Sequence, residues 1–146
     1  MKIPIKVHYA VSLMLHLALN YGKGPLLLSE IAEKENISEK YLGQIIIPLK
    51  AAGFINSLRG AHGGYMLSRP PLRLTVKEIV EALQGNLNLF NDINGSFSDS
   101  KALFCMRSLV WERLEKNISD ALEAVSLEDL ARAYIQNGKN DIMYNI

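Results

Sequence analysis

Residues 28–67 read LSEIAEKENISEKYLGQIIIPLKAAGFINSLRGAHGGYML, and this stretch decides the fold. Ser29-Glu30-Ile31-Ala32-Glu33 opens with a residue type favoured at a helix N-cap, and Ile37-Ser38-Glu39-Lys40-Tyr41-Leu42 opens with another shortly after. The second helix is expected to end at Gly53, a residue suited to the left-handed position past a helix C-terminus. Two apolar-patterned runs, Phe54-Ile55-Asn56-Ser57-Leu58 and Tyr65-Met66-Leu67, then flank the cationic, glycine-rich tip Arg59-Gly60-Ala61-His62-Gly63-Gly64. Two short helices with an appended hairpin make a winged helix-turn-helix, whose second helix fits the DNA major groove.

The rest of the chain frames that motif. From Ile5 to Tyr21, apolar residues recur at Val7, Ala10, Val11, Leu13, Met14, Leu17 and Ala18, a three-four repeat stopped by Gly22 and Pro25. Arg69-Pro70-Pro71 leads stiffly out of the wing. Thr75-Val76-Lys77-Glu78 has the form of a capping box, opening a helix that runs to Gly85. Asn86 to Ser100 is rich in Asn, Asp, Ser and Gly and reads as a long loop. A long helix is expected from about Ala102 to Ala124. Trp111, Leu114, Ile118, Ala121 and Val125 fall at alternating three- and four-residue steps along it, a seam suited to a partner helix or to its own domain. Ser126 caps a short last helix through Ala133, followed by a tail from Gln136 to Ile146. The expected fold is mainly α with a small β-wing. A DNA-binding domain spans 1–85, an effector-type loop 86–101, and a dimerisation helix with C-terminal helix and tail 102–146.

Composition narrows the class. With 146 residues, 49% hydrophobic and 21% charged, the chain can bury a core. Its apolar N-terminal stretch is interrupted by His8, Ser12 and His16, unlike a signal peptide. No run reaches the roughly 20 apolar residues of a membrane helix. The lone Cys105 excludes an intrachain disulfide and fits a reducing compartment, so a cytoplasmic protein is expected. The net charge of +1 hides an asymmetry: residues 1–80 hold ten cations against five anions, and the remainder six against ten. A polyanion contact therefore belongs to the first half.

Within the motif, the first turn of the second helix offers Ser38, Glu39, Lys40, Tyr41 and Gln44 to DNA. Ser38 and Tyr41 can donate to phosphates, and Gln44 can pair bidentately with adenine N6 and N7. Equally, Ser38 can simply cap the helix and Tyr41 can pack beneath the turn. Gly43 costs about 1 kcal/mol against alanine in a helix. Pro48 removes one helical hydrogen bond and is expected to bend or divide the helix beyond the contact turn. Lys50 adds a cation near the helix end. At the wing tip Arg59 and His62 sit among Gly60, Gly63 and Gly64, which permit positive φ and close backbone approach to a phosphate or groove floor. A nucleotide-binding phosphate loop is disfavoured, because no Gly-Lys-Ser/Thr ending or helix start follows.

Taken together, Tyr9-Ala10-Val11, Ile31-Ala32-Glu33, Ile37 to Leu42, Gln44, Leu49 to Ile55, Arg59-Gly60-Ala61-His62-Gly63-Gly64-Tyr65 and Trp111 resemble the Rrf family of bacterial winged-helix transcription regulators. That group includes iron–sulfur-cluster, nitric-oxide-sensitive and cysteine-metabolism regulators. The resemblance implies a homodimer joined by crossed long helices that binds a palindromic double-stranded DNA operator and usually represses. Cluster-binding members carry three cysteines at six-residue steps before the long helix. Here stepping back from Cys105 finds Asp99 and Ile93, and the histidine some members place three residues on is Ser108. In some relatives an acidic residue of the first helix is a ligand, and the matching region here offers His8. Family members usually carry glutamate where Gly43 stands, so operator sequence does not transfer. Cys105, Asp99, His8 and His16 are too few soft ligands for a stable cluster, so iron–sulfur binding is disfavoured and no cofactor or metal is expected.

Cys105 is either a small buried hydrophobe, the expected state, or a reactive thiol and redox sensor. A regulatory protein partner is a further option, with the apolar tail as its contact. The competing reading is a winged-helix protein-interaction module without DNA, or a regulator sensing redox or iron–sulfur chemistry through atypical ligands. No enzyme is expected, since His8, His16 and His62 lack a nucleophile or carboxylate at any recognised motif spacing, and no membrane contact is expected.

Overall fold

The computed structural model describes residues 2–86 and 100–144, with side chains to 139. Helix α1 (Ile5–Leu19) lies at the centre and packs against α3 (Glu39–Ala51), α4 (Val76–Gln84), α7 (Leu127–Tyr144) and the second wing strand. Its three-four apolar repeat buries Val7, Ala10, Leu13, Met14 and Leu17. Of these, Ala10, Leu13, Met14 and Leu17 meet Ile31 of α2 (Leu28–Glu35), Leu42 and Leu49 of α3, Ile79 of α4 and Leu127 of α7 in one core. His16 is also buried there. Its Nε2 pairs with Glu35 Oε1 at 2.5 Å, and its ring stands edge-on to Tyr134 of α7 at 6.2 Å, so the polar group is satisfied and ties three helices.

The helix-turn-helix forms as expected in its second half and differently in its first. Ser29 does not cap α2; that helix starts at Leu28, two residues earlier than a Ser29 cap allows, with Leu27 at the cap position and no side-chain bond. The local preference is overridden by the chain just before it. Leu26 is held to Tyr65 by a reciprocal pair of 2.9 Å backbone bonds, which fixes the entry into the helix. Asn36 closes α2 in the left-handed conformation, and Ser38 caps α3 by accepting from Tyr41 N–H at 3.3 Å. α3 ends before Gly53, which takes φ +82.

Pro48 does not divide α3, which runs unbroken from Glu39 to Ala51. Buried Ile45, Ile46 and Leu49 hold the helix on both sides of it. The carbonyl deprived of its donor belongs to exposed Gln44, where water can replace the missing N–H. Gly43 has no steric need to be glycine: a Cβ there would meet only Leu28 Cδ2, at 3.9 Å. Gly43→Ala is therefore expected to stabilise the fold by up to about 1 kcal/mol, read as a raised thermal midpoint.

The wing pairs β1 (Ile55–Leu58) with β2 (Gly64–Leu67) antiparallel, Ile55 opposite Leu67 in the core and Leu58 opposite Gly64 at the tip. An isolated two-stranded hairpin is only marginally stable. Here the Leu26–Tyr65 bridge and buried Phe54, Ile55 and Leu67 anchor its base. A short 3₁₀ turn (Pro71–Arg73) follows. The Thr75 capping box then starts α4, with Glu78 N–H donating to Thr75 Oγ1 at 3.2 Å and Thr75 N–H to Glu78 Oε2 at 2.9 Å.

Of the stretch read as a loop, 87–99 lies outside the described residues. Ser100 then caps a helix that continues from Lys101 to Glu123: α5 (Lys101–Met106), a π turn (Arg107–Trp111) and α6 (Glu112–Glu123). In plain α-helix, Leu103 and Trp111 would stand about 80° apart. The wider π turn absorbs about one residue and brings both onto the face shared by Leu114 and Ile118. Ser108 Oγ donates to the Phe104 carbonyl at 2.9 Å, a bond back to the preceding turn at the start of the π segment.

α7 is the largest departure from expectation. It is not a short helix through Ala133 followed by a tail but an 18-residue helix ending at Tyr144. Its first half docks on α1 and on the 3₁₀ turn. Once that half is nucleated, each further residue adds a hydrogen bond at small cost. At its start, Asp129 N–H donates to Ser126 Oγ at 3.1 Å and Ser126 N–H to Asp129 Oδ2 at 3.0 Å. The Ser126 backbone N–H, then its hydroxyl, hold the Asp129 carboxyl below its ordinary range, with Arg132 acting in the same sense. A depressed folded value contributes stability above the ordinary carboxylate pKa, and that stability is lost as pH falls through the folded value. Any advantage of the wild type over Asp129→Asn is thus expected to shrink in acid, below about pH 3.9, in denaturant titrations.

Candidate nucleic-acid interface

The helical period divides α3 into an inner and an outer face. Leu42, Ile45, Ile46 and Leu49 are buried, whereas Lys40, Gln44, Ile47 and Ala51 form an exposed stripe at steps of four, three and four. Ser38 and Glu39 are exposed beside the start of that stripe. Ser38 also makes the cap, leaving hydroxyl capacity for a phosphate. Tyr41 is half-buried, its ring edge-on to Tyr9 of α1 at 5.7 Å and 86°, so packing beneath the turn holds it.

Lys50 closes the outer face. Its Nζ donates to Ser57 Oγ of β1 at 2.7 Å, joining the end of α3 to the wing and keeping two further donors for phosphate. At the tip Arg59, Gly60, Ala61 and His62 are exposed, and Gly60 takes φ +110 with open space around it. Gly63 and Gly64 serve the hairpin itself. A Cβ at Gly63 would press on the Leu58 carbonyl and one at Gly64 would meet the Leu26 carbonyl at 2.7 Å. Both glycines are half-buried against their own chain, and Arg59 and His62 are the side chains that the tip presents. The structure thus brings Ser38, Glu39, Lys40, Gln44, Lys50, Arg59 and His62 to exposed positions on one helix and its adjoining wing. Sequence reasoning missed Ile47, the third residue of an apolar run, although the step of three from Gln44 was there to find it.

The expected seam is distributed differently. Trp111, Leu114, Ile118 and Val125 are half-buried and Ala121 is exposed. α6 packs on α4, and the Val125 carbonyl accepts from Val76 N–H at 2.9 Å within the same protomer. No side chain of the helix from Lys101 to Glu123 is fully buried. Its strongest apolar exposure lies toward the start, with Phe104 71% and Leu109 66% exposed beside Met106 and Val110. Cys105 belongs to this region. It is exposed rather than a buried hydrophobe, because none of the described residues covers that part of the helix.

Comparison with known proteins agrees with this geometry. The model of the Rrf2 family, described as an iron-dependent transcriptional regulator, matches residues 3–133. The HTH-type transcriptional regulator CymR of Bacillus subtilis is 34% identical over 146 residues, the whole of both chains. The structure of CymR, the global cysteine regulator of B. subtilis, superposes with a TM-score of 0.81 at 34% identity, covering 91% of this chain and 98% of that one. T. potens IscR gives 0.71 at 35% identity, covering 92% of this chain and 88% of that one.

The family description names iron, and the donor set here does not suit a cluster. Iron–sulfur clusters rest on several thiolates, and this chain has one cysteine. His16 is engaged with Glu35, His8 stands exposed on α1, and among the described residues no three His, Cys, Asp or Glu side chains gather at one point. Asp99 and Ile93 lie outside the described residues. Among the described residues no helix is long and apolar enough to cross a membrane. The exposed stripe of α3, the adjoining cationic wing tip and the full-length similarity agree: the chain belongs to the Rrf2 family and is a DNA-binding, helix-turn-helix transcriptional regulator.

Proposed function

We propose that the protein acts as a homodimeric repressor on a palindromic operator, without an iron–sulfur cluster. One observation carries the dimer: a 23-residue helical stretch, apolar on several sides between Leu103 and Trp111, with no side chain buried in the protomer. A helix apolar around its circumference belongs in an interior, and a second copy supplies one. Twofold pairing would set two recognition helices one DNA turn apart, as a palindrome requires. Residues 1–85 then grip DNA and 102–146 join the protomers. Repression follows if the bound dimer covers the promoter. The full-length similarity to a global cysteine regulator supports testing promoters of cysteine metabolism first.

In this reading Gln44 contacts base edges, Arg59 and His62 the minor groove or its phosphates, and Ser38, Lys40, Tyr41 and Lys50 the backbone. Glu39 and the two glycines position these groups. The test is selection from a randomised duplex library, followed by affinity measurements on the enriched sequence. Gln44→Ala and Arg59→Ala are each expected to weaken binding by about 5- to 150-fold, the range of one lost groove contact. Unchanged affinity in both variants, or negligible affinity for any duplex at low salt, would overturn the assignment and favour a protein-docking module.

A further inference from the structure

We infer that Ile47 is a specificity-determining residue, reading the 5-methyl group of a thymine in each operator half-site. The inference rests on α3 entering the major groove and adds to it a contact with a methyl group. Three isoleucines stand in succession in α3, and their fates differ sharply. Ile45 and Ile46 are 3% and 4% exposed, while Ile47 is 66% exposed. Single exposed apolar residues are common and by themselves mean little. Ile47, however, continues the outward stripe of Lys40 and Gln44, which is the face a recognition helix turns to base edges.

The spacing fits adjacent base pairs. Gln44 and Ile47 are separated by about 4.5 Å along the helix axis, close to the roughly 3.4 Å step of stacked pairs. A Gln44 amide bonded to adenine therefore leaves Ile47 over a neighbouring pair. Among the major-groove edges, thymine alone presents a methyl group, and an apolar side chain is its natural contact. Isoleucine is stiff at χ1, so the stacked turn below fixes where its methyls lie and little freedom is lost on binding. Lysine, glutamine and arginine on the same surface have no apolar surface matched to that group.

The test separates this contact from DNA binding as a whole. A consensus is first selected from a randomised 30-base-pair duplex library with the full-length protein. Each thymine of the half-site is then replaced by deoxyuridine, which keeps the pairing edge and lacks only the methyl. The wild type is expected to lose about fourfold in affinity at one thymine per half-site. Ile47→Ala should bind the thymine and uridine duplexes equally, and Ile47→Val should retain most of the difference. A thermal midpoint matching the wild type establishes that the exposed substitution leaves the fold intact. A consensus that shows no sensitivity to uridine, or an Ile47→Ala protein that keeps it, overturns the inference alone. A library that yields no consensus overturns the DNA-binding reading and this inference with it.

Discussion

Aspartate in place of both Leu109 and Val110 is expected to convert the protein to a 16.3 kDa monomer in sedimentation and to weaken the selected operator at least about a hundredfold. Both side chains are exposed, Leu109 at 66% and Val110 at 46%, so among the described residues the substitutions disturb no close packing. Across a dimer they would place unpaired carboxylates in an apolar contact, which costs several kcal/mol. A separated protomer then holds one half-site and loses the high effective concentration that linkage confers on the second. The circular dichroism and thermal midpoint of the monomer should show an intact fold. A variant that stays dimeric would move the interface away from Leu103–Trp111.

Leu42→Ala should be the most damaging single change to stability. Leu42 is 0% exposed and belongs to the core in which α3 packs on α1, on the face opposite Lys40, Gln44 and Ile47, so it seats the proposed recognition helix. Removing such a side chain costs about 2–5 kcal/mol, a large share of the 5–15 kcal/mol typical of a domain. The thermal midpoint should fall by roughly 8–20 °C in calorimetry. Operator affinity should weaken too, because Gln44 and Ile47 keep their direction only while this side chain is seated. A loss below about 1 kcal/mol would show that the helix does not depend on this contact.

Several features were legible because their causes are local. The Ser38 cap, the Gly53 stop and the Thr75–Glu78 box each depend on a few neighbouring residues satisfying one another's backbone groups. The three-four repeat of α1 reported its buried face directly. Local rules failed where distant chain intervened. Ser29 is a good cap type, yet Leu26 is bridged to Tyr65, 39 positions on, and that bridge sets where α2 begins. The long α7 was hidden because Gln136 to Asp141 is a polar run that includes Gly138. Docking of its first half on α1 supplies the nucleation that their propensities do not.

The sequence by itself determined the helix-turn-helix, the wing and its cationic tip, the long apolar helix and the lack of cysteines for a cluster, because caps, turns, periodicity and ligand count are properties of neighbouring residues. Tertiary structure alone decided which residues face outward. Ile45, Ile46 and Ile47 are chemically identical, and only the seating of Leu42 and Leu49 on α1 turns the third toward solvent. Cys105 is exposed for the same kind of reason: burial is set by what packs against a helix, and none of the described residues reaches that part of it.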